Sequence, residues 1–234
     1  MKFLSAFLCL SMLFVGSYAE YSHLVTKCKW DDRECLKKSF QEAIPKFADG
    51  IPELGMAPLD PLKVDKVSMH ESGVHIDFNN VVVKNLRNCK VEDIERTEDL
   101  HLRFSVSCPV VANGDYKAKG NLLLQEINGH GPFVVETNNI WIQVTAKVEN
   151  ENGYWKISNV NHEFEFKEKT HLNFENLFDG DKEKSEAVKH LINENWKELA
   201  GPFGKDIIKA FVIQAVTSIK TFFKKVATKY LEIQ

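Results

Sequence analysis

Between Lys63 and Lys169 apolar and polar residues alternate with a period of two. Val74, Ile76 and Phe78 interleave with His75, Asp77 and Asn79. Leu100, Leu102, Phe104 and Val106 interleave with His101, Arg103 and Ser105, and Ile140, Ile142, Val144, Ala146 and Val148 carry the pattern on. A period of two places one set of side chains on each face of a strand. Candidate turns separate the runs: Asn113-Gly114-Asp115, Asn128-Gly129-His130-Gly131-Pro132 and Asn150-Glu151-Asn152-Gly153. Gly129-His130-Gly131 reads as a hairpin turn. The arrangement predicts an antiparallel meander. Its runs are commonly ten residues or more, against an average strand of about 5–6. Long antiparallel strands coil, so the sheet is expected to be strongly curved.

The pattern changes to helical spacing at both ends. Asp31-Asp32 followed by Leu36, Phe40, Ala43, Ile44 and Phe47 predicts a helix with an Asp N-cap, ending or kinking near Pro45. Ile51–Leu62, with Pro52, Pro58, Pro61 and Gly55, reads as an ordered extended connector. After Asp179-Gly180 two helices are predicted: 182–200, then a break at Gly201-Pro202-Phe203-Gly204, then 205–230. The last helix would be about 39 Å long at 1.5 Å per residue. Its stripe is Ile207, Phe211, Ala215, Ile219, Phe222/Phe223, Val226 and Tyr230, widened by Ile208, Val212, Ile213 and Val216. A helix apolar on most sides needs burial on most sides. A long curved sheet wrapped around this helix solves both burial problems, giving an α+β fold with one helix inside a roll.

Met1-Lys2, the apolar run Phe3–Val15 and Ser17-Tyr18-Ala19 have the layout of a cleavable secretory signal. The apolar run is about 13 residues, short of the ~20 that span a bilayer. Residues 1–19 are therefore expected to be a signal peptide and 20–234 one domain, secreted and extracellular. Four cysteines remain, Cys28, Cys35, Cys89 and Cys108, which allow three pairings. Local geometry favours Cys28–Cys35 and Cys89–Cys108, with buried free thiols as the alternative. If Lys90–Arg96 and Leu100–Val106 form a hairpin turning at Glu98-Asp99, residues whose numbers sum to 197 stand opposite, as Cys89 and Cys108 do. Cross-strand neighbours lie within disulfide range.

The 30 basic and 33 acidic residues are mixed along the chain, leaving a net charge of −3 and no basic stripe of the kind nucleic-acid binding needs. No nucleophile elbow, phosphate loop, dinucleotide fingerprint or H-E-x-x-H zinc motif occurs. His70-Glu71 and His75 have the wrong spacing for zinc, and Glu163 with Glu165 reads as a wet strand face beside Lys167, Glu168 and Lys169. No catalytic residue, metal site or cofactor is expected. The surplus is apolar: 16 phenylalanines, which suit either a core or an enclosed apolar site.

Further runs carry a resemblance. They are Cys28…Cys35-Leu36 ahead of Ile44-Pro45, Gly50-Ile51-Pro52-Glu53-Leu54-Gly55, Leu59-Asp60-Pro61-Leu62, and Gly114-Asp115-Tyr116…Gly120 with Gly129-His130-Gly131. Asn176-Leu177-Phe178-Asp179-Gly180 and Asn193-Glu194-Asn195-Trp196 complete the series. In this order and spacing the chain resembles the takeout and juvenile-hormone-binding family of secreted insect proteins over about residues 24–230, closer to its takeout-like members. It lacks the C-terminal cysteine pair of the haemolymph hormone carriers. The resemblance implies a long C-terminal helix wrapped by a highly curved sheet (a TULIP-like roll) with a hydrophobic tunnel between them. It also implies carriage of a lipophilic ligand: juvenile hormone, another terpenoid or a fatty-acid-like lipid. The lining is expected from Phe78, Phe104, Trp141, Phe164, Phe203, Phe211 and Ala215. A monomer without stable membrane insertion is expected. The competing reading is an interaction protein whose surface, including the Lys220–Lys229 cluster, binds a receptor or microbial lipid. A third is an ester hydrolase using His70 or His75.

Overall fold

The computed structural model describes residues 20–97, 100–122 and 125–233. The Asp32 carboxylate accepts the Cys35 N–H and starts helix α1, Arg33–Ala48, which runs through Pro45. Leu36, Ala43 and Phe47 are its buried face. The connector folds back on itself through an Ile51–Met56 bridge and buries Leu54 and Met56 almost completely.

Among the described residues seven strands form one antiparallel sheet: β1 (Leu62–Glu71), β2 (Val74–Lys84), β3 (Lys90–Arg96), β4 (His101–Leu122), β5 (Gln125–Glu151), β6 (Tyr154–Phe166) and β7 (Thr170–Phe174). The order is β1-β2-β4-β5-β6, with β3 paired to β4 and β7 paired to β5. Strands β4 and β5 reach 22 and 27 residues. Each changes its outer partner along its length: β4 passes from β3 to β2, and β5 passes from β7 to β6. Register shifts interrupt the ladders at Asn79/Val82, Val91/Asp93, Cys108/Val110 and Thr145/Lys147. Each bulge bends its strand and tightens the local twist, and together they curl the sheet.

Helices α2 (Lys182–Glu194) and α3 (Trp196–Phe223) follow. Helix α3 packs against β1, β6 and β7, and so bridges the two outer edges of the five-strand path. The fold is thus the expected α+β roll around a long C-terminal helix.

Several local expectations are corrected. The helix break falls at Asn195, not at Gly201–Gly204. The Asn195 amide donates to the Leu191 carbonyl at 2.7 Å, closing α2, while its own carbonyl accepts the Leu199 N–H and opens α3. Gly201-Pro202-Phe203-Gly204 continues as helix because burial of Ala200, Phe203 and Gly204 against the sheet outweighs the poor local propensity. Helix α3 stops at Phe223, and Thr228–Tyr230 is a separate 3-10 turn.

Asn113–Asp115 and Asn128–Pro132 are not turns. They lie inside β4 and β5 and pair with each other, Asp115 opposite Pro132 and Ala118 opposite Gly129. Their glycines serve close backbone approach. A Cβ on Gly129 would stand 2.6 Å from the Asn176 carbonyl oxygen, and one on Gly114 would stand 2.7 Å from that of Asn79. The Asn152-Gly153 turn is present, both residues at positive φ.

Both disulfides, Cys28–Cys35 and Cys89–Cys108, are formed. Lys90 faces Ser107 and Val91 faces Val106, the sum of 197 expected beside the second bond. The bulge beyond Val91 changes it to 198 from Asp93 onward. The expected turn at Glu98-Asp99 and the signal segment 1–19 lie outside the described residues.

Candidate functional site

Alternation along β5 turns Phe133, Val135 and Thr137 toward α3. At Asn138-Asn139 the strand bulges opposite Pro109, which has no N–H to lose from the ladder. The extra residue shifts the phase by one, so Ile140 and Ile142 continue the same wall. Strand β7 mirrors the first part: Phe174, Leu172 and Thr170 stand opposite Phe133, Val135 and Thr137. Helix α3 supplies two rows at i, i+4, i+8 spacing, Ala200/Gly204/Ile208 and Phe203/Ile207/Phe211.

Between helix and sheet these side chains enclose a cavity of about 150 Å³. Its aromatic corner is built from Phe78 edge-on to Phe133 (centroids 4.9 Å) and Phe174 edge-on to Tyr116 (5.1 Å). At Gly204 α3 lies against β6, where a Cβ would stand in ordinary contact with the Phe166 and Phe164 rings at 3.4 and 3.5 Å.

Tyr116 and Thr137 are the polar side chains on this wall. The Tyr116 hydroxyl donates to the Glu175 carbonyl at 2.6 Å. Burial, with a smaller contribution from the Glu175 charge, pushes its phenol pKa far above the ordinary value, so it stays a neutral donor. Glu175 is part of a strap that crosses β5 where the chain has Gly129 and Gly131. The Glu175 N–H donates to Pro132 O at 3.1 Å and the Asn176 amide to His130 O at 3.1 Å. Leu177 then enters the cavity wall. Helix α2 is held beside the strap by Asn193, which pairs with both backbone groups of Leu172, accepting at 3.0 Å and donating at 2.9 Å.

Three of the expected lining residues, Phe78, Phe203 and Phe211, lie on the cavity wall, and four lie elsewhere. Phe104 sits farther along β4, where α1 covers the sheet, and its ring packs 5.3 Å from Phe40. Trp141 lies in the opposite phase to Ile140 and Ile142 and carries Lys167 over its ring at 5.7 Å. Phe164 packs edge-on to Phe166, which reaches the cavity in its place. Ala215 is one turn past Phe211 and packs against the Leu62, Val83 and Ala112 cluster. Sequence reasoning missed Phe133, Val135, Thr137, Leu172 and Phe174. Their signal was period-two phase, obscured because Asn128–Pro132 read as a turn and because the bulge breaks the count.

Elsewhere, His70 and His75 face each other across β1 and β2 with Nδ1 atoms 3.4 Å apart. Among the described residues no group of three or more His, Cys, Asp or Glu side chains is placed to hold a metal. Glu165 is ion-paired with Lys167 on the surface. In the Lys220–Lys229 cluster, Lys225 donates to Leu54 O at 2.7 Å and Lys229 lies over the Tyr230 ring. Lys220 and Lys224 border an open surface depression with Tyr154 and Lys156. Among the described residues no helix is long and apolar enough to cross a membrane.

Residues 4–231 match the family model described as haemolymph juvenile hormone binding protein. The crystal structure of Epiphyas postvittana Takeout 1 is similar with a TM-score of 0.87 and 25% identity, covering 90% of this chain and 100% of that one. A circadian clock-controlled protein, daywake, of Drosophila yakuba is 27% identical over 231 residues, 86% of each chain. A putative beta-carotene-binding protein of Schistocerca gregaria is 24% identical over 114 residues, 47% of this chain and 46% of that one.

Proposed function

The chain belongs to the haemolymph juvenile hormone binding protein family, and on that premise we propose that it is a secreted, non-catalytic carrier that holds one apolar molecule between α3 and the sheet. The observation that carries this reading is the cavity of about 150 Å³ with almost wholly apolar walls. Such a space stays dry and accepts an apolar guest. At about 24 cal/mol per Å³, leaving it unpacked costs the fold roughly 4 kcal/mol. A ligand recovers that loss by restoring contacts and by leaving water, at about 25 cal/mol per Å² of apolar surface. Phe78, Phe203 and Phe211 would contact the ligand.

A juvenile-hormone-like terpenoid, a longer isoprenoid or a fatty-acid-like lipid all fit the chemistry of these walls, and the beta-carotene-binding relative supports a class wider than one hormone. The signal-like segment 1–19 and the two disulfides support secretion, since disulfides persist in oxidising compartments. The domain would be the whole of residues 20–234. The surface-binding alternative has less support, because two of its four clustered lysines are engaged within the fold.

The test is native purification, solvent extraction and mass spectrometry, with parallel titration of N-phenyl-1-naphthylamine. Carriage predicts a co-purifying apolar molecule or saturable one-to-one uptake of the fluorophore. Neither being found would overturn it.

A further inference from the structure

The β1–β2 hairpin turns on Ser72-Gly73, both at positive φ. A two-residue turn sets Glu71 opposite Val74 and, one rung farther, His70 opposite His75. Histidines five apart fail the helical zinc motif, yet this turn brings them face to face. On the inner side of the hairpin Met69 and Ile76, paired with each other, border the cavity. Both histidines are exposed on the outer side.

The two Nδ1 atoms are 3.4 Å apart. That lies beyond the range of about 2.7–3.2 Å in which N–H donors make good hydrogen bonds. It is the gap a tetrahedral zinc ion sets: two imidazole nitrogens about 2.05 Å from the metal, subtending the tetrahedral angle, stand about 3.3–3.4 Å apart. A square-planar ion with neighbouring nitrogens at about 2.0 Å would need about 2.8 Å. Behind the pair, His75 Nε2 faces Asp77 Oδ1 at 3.4 Å. Asp77 is itself held by Ser68 Oγ at 2.5 Å and Lys66 Nζ at 3.3 Å. A carboxylate on the far ring nitrogen is the usual support of a metal-bound histidine, because it fixes the tautomer that leaves the near nitrogen free to ligate. Cys28, Cys35, Cys89 and Cys108 are bonded in pairs, so no thiolate among the described residues competes for the ion.

We propose that His70 and His75 chelate one Zn²⁺ ion through their Nδ1 atoms, with Asp77 orienting His75 and water completing the tetrahedron. The site lies apart from the cavity and holds whether or not the carrier reading does. The ion clips β1 to β2 beside the turn, on the back of the segment whose Met69 and Ile76 border the cavity. Lys119, opposite His75 on β4, adds a cation to the same row and lowers the affinity.

Isothermal titration of the untagged full chain with ZnCl₂, and with MgCl₂ for comparison, tests this. Zinc should bind one to one, and magnesium, which prefers oxygen donors, should not bind. Asp77→Asn should weaken zinc about ten- to hundredfold, and His70→Gln or His75→Gln at least as much. Asp77→Glu should recover part of the loss, and Lys119→Gln should tighten binding. His190→Gln, on α2 with only Glu194 as its ion-pair partner, should bind as the wild type does. Zinc should also raise the Tm of the wild type and not that of His70→Gln, since an ion held only by the folded hairpin stabilises by mass action. No saturable zinc uptake by the wild type, or uptake that survives both histidine substitutions, would overturn the site. Loss of uptake in His190→Gln would place the ion on α2 and overturn it equally.

Discussion

Tyr116 and Glu175 are 59 positions apart in sequence and 2.6 Å apart in space, the phenol of one donating to the backbone carbonyl of the other. The bond ties the middle of β4 to the strap that closes the cavity over β5. Tyr116→Phe keeps the ring against Phe174 and removes only the donor, leaving a partly buried carbonyl unpaired. The expected cost is about 1–3 kcal/mol. Thermal denaturation should show a Tm lower by about 2–10 °C. Stopped-flow release of a bound fluorophore should be faster, because the strap loses its inner anchor. Unchanged Tm and release rate would show that the strap is held by its other bonds alone.

Two glycines give opposite expectations for the same substitution. Gly129→Ala places a methyl 2.6 Å from both Asn176 O and Leu177 Cα, which are backbone atoms and cannot swing aside. It should destabilise by roughly 1–3 kcal/mol through displacement of the strap. Gly201→Ala meets nothing within 4 Å and lies inside α3, so it should stabilise by about 0.5–1 kcal/mol through helix propensity. Urea titration of both variants decides between these signs.

These contrasts mark what the chain made legible. Period-two alternation in Val74–Phe78 and Ile140–Val148 sufficed for strands, and the breadth of the apolar surface on 205–223 sufficed for a wrapped helix, because both record burial directly. The sum of 197 counted from the turn placed Cys89 opposite Cys108 although the ladder next to the turn runs at 198, because the bulge between Val91 and Asp93 brings the register back to 197 beside the bond. Gly129-His130-Gly131 misled because glycine permits a turn and also permits two backbones to touch, and only the distant segment 175–177 decides which. Trp141 was chosen for its bulk although its phase opposed that of Ile140 and Ile142. The bulge at Asn138-Asn139 hid the continuity of Thr137 with Ile140.

His162 gives a pH dependence. It is half-buried on β6, and desolvation, with Lys209 of α3 adding repulsion, lowers its pKa below the ordinary 6.5. The folded state then resists a proton that the unfolded chain accepts. Stability should be level above pH 6.5 and should fall as pH drops from 6.5 toward the lowered folded value, where the unfolded chain binds more protons. His162→Gln should flatten that part of the curve. Denaturation midpoints at intervals from pH 8 to pH 5 for both proteins are the measurement, and parallel curves would remove His162 from the account.

Ala200 and Ala215 test where the ligand goes. Both lie on α3, but Ala200 borders the cavity while Ala215 packs against Leu62, Val83 and Ala112. Ala200→Leu adds carbon into space that no side chain fills, at about 0.8 kcal/mol per methylene, so the ligand-free protein should gain roughly 1–2 kcal/mol. The same carbons occupy the guest's volume, and affinity for a hydrophobic fluorophore should fall at least about tenfold, the equivalent of 1.4 kcal/mol. Ala215→Leu enters a packed cluster and should cost about 1–3 kcal/mol with little change in affinity. A stabilised Ala200→Leu protein that binds as the wild type does would place the guest outside this cavity. A parallel loss of binding in both variants would trace the effect to α3 as a whole and not to the volume beside Ala200.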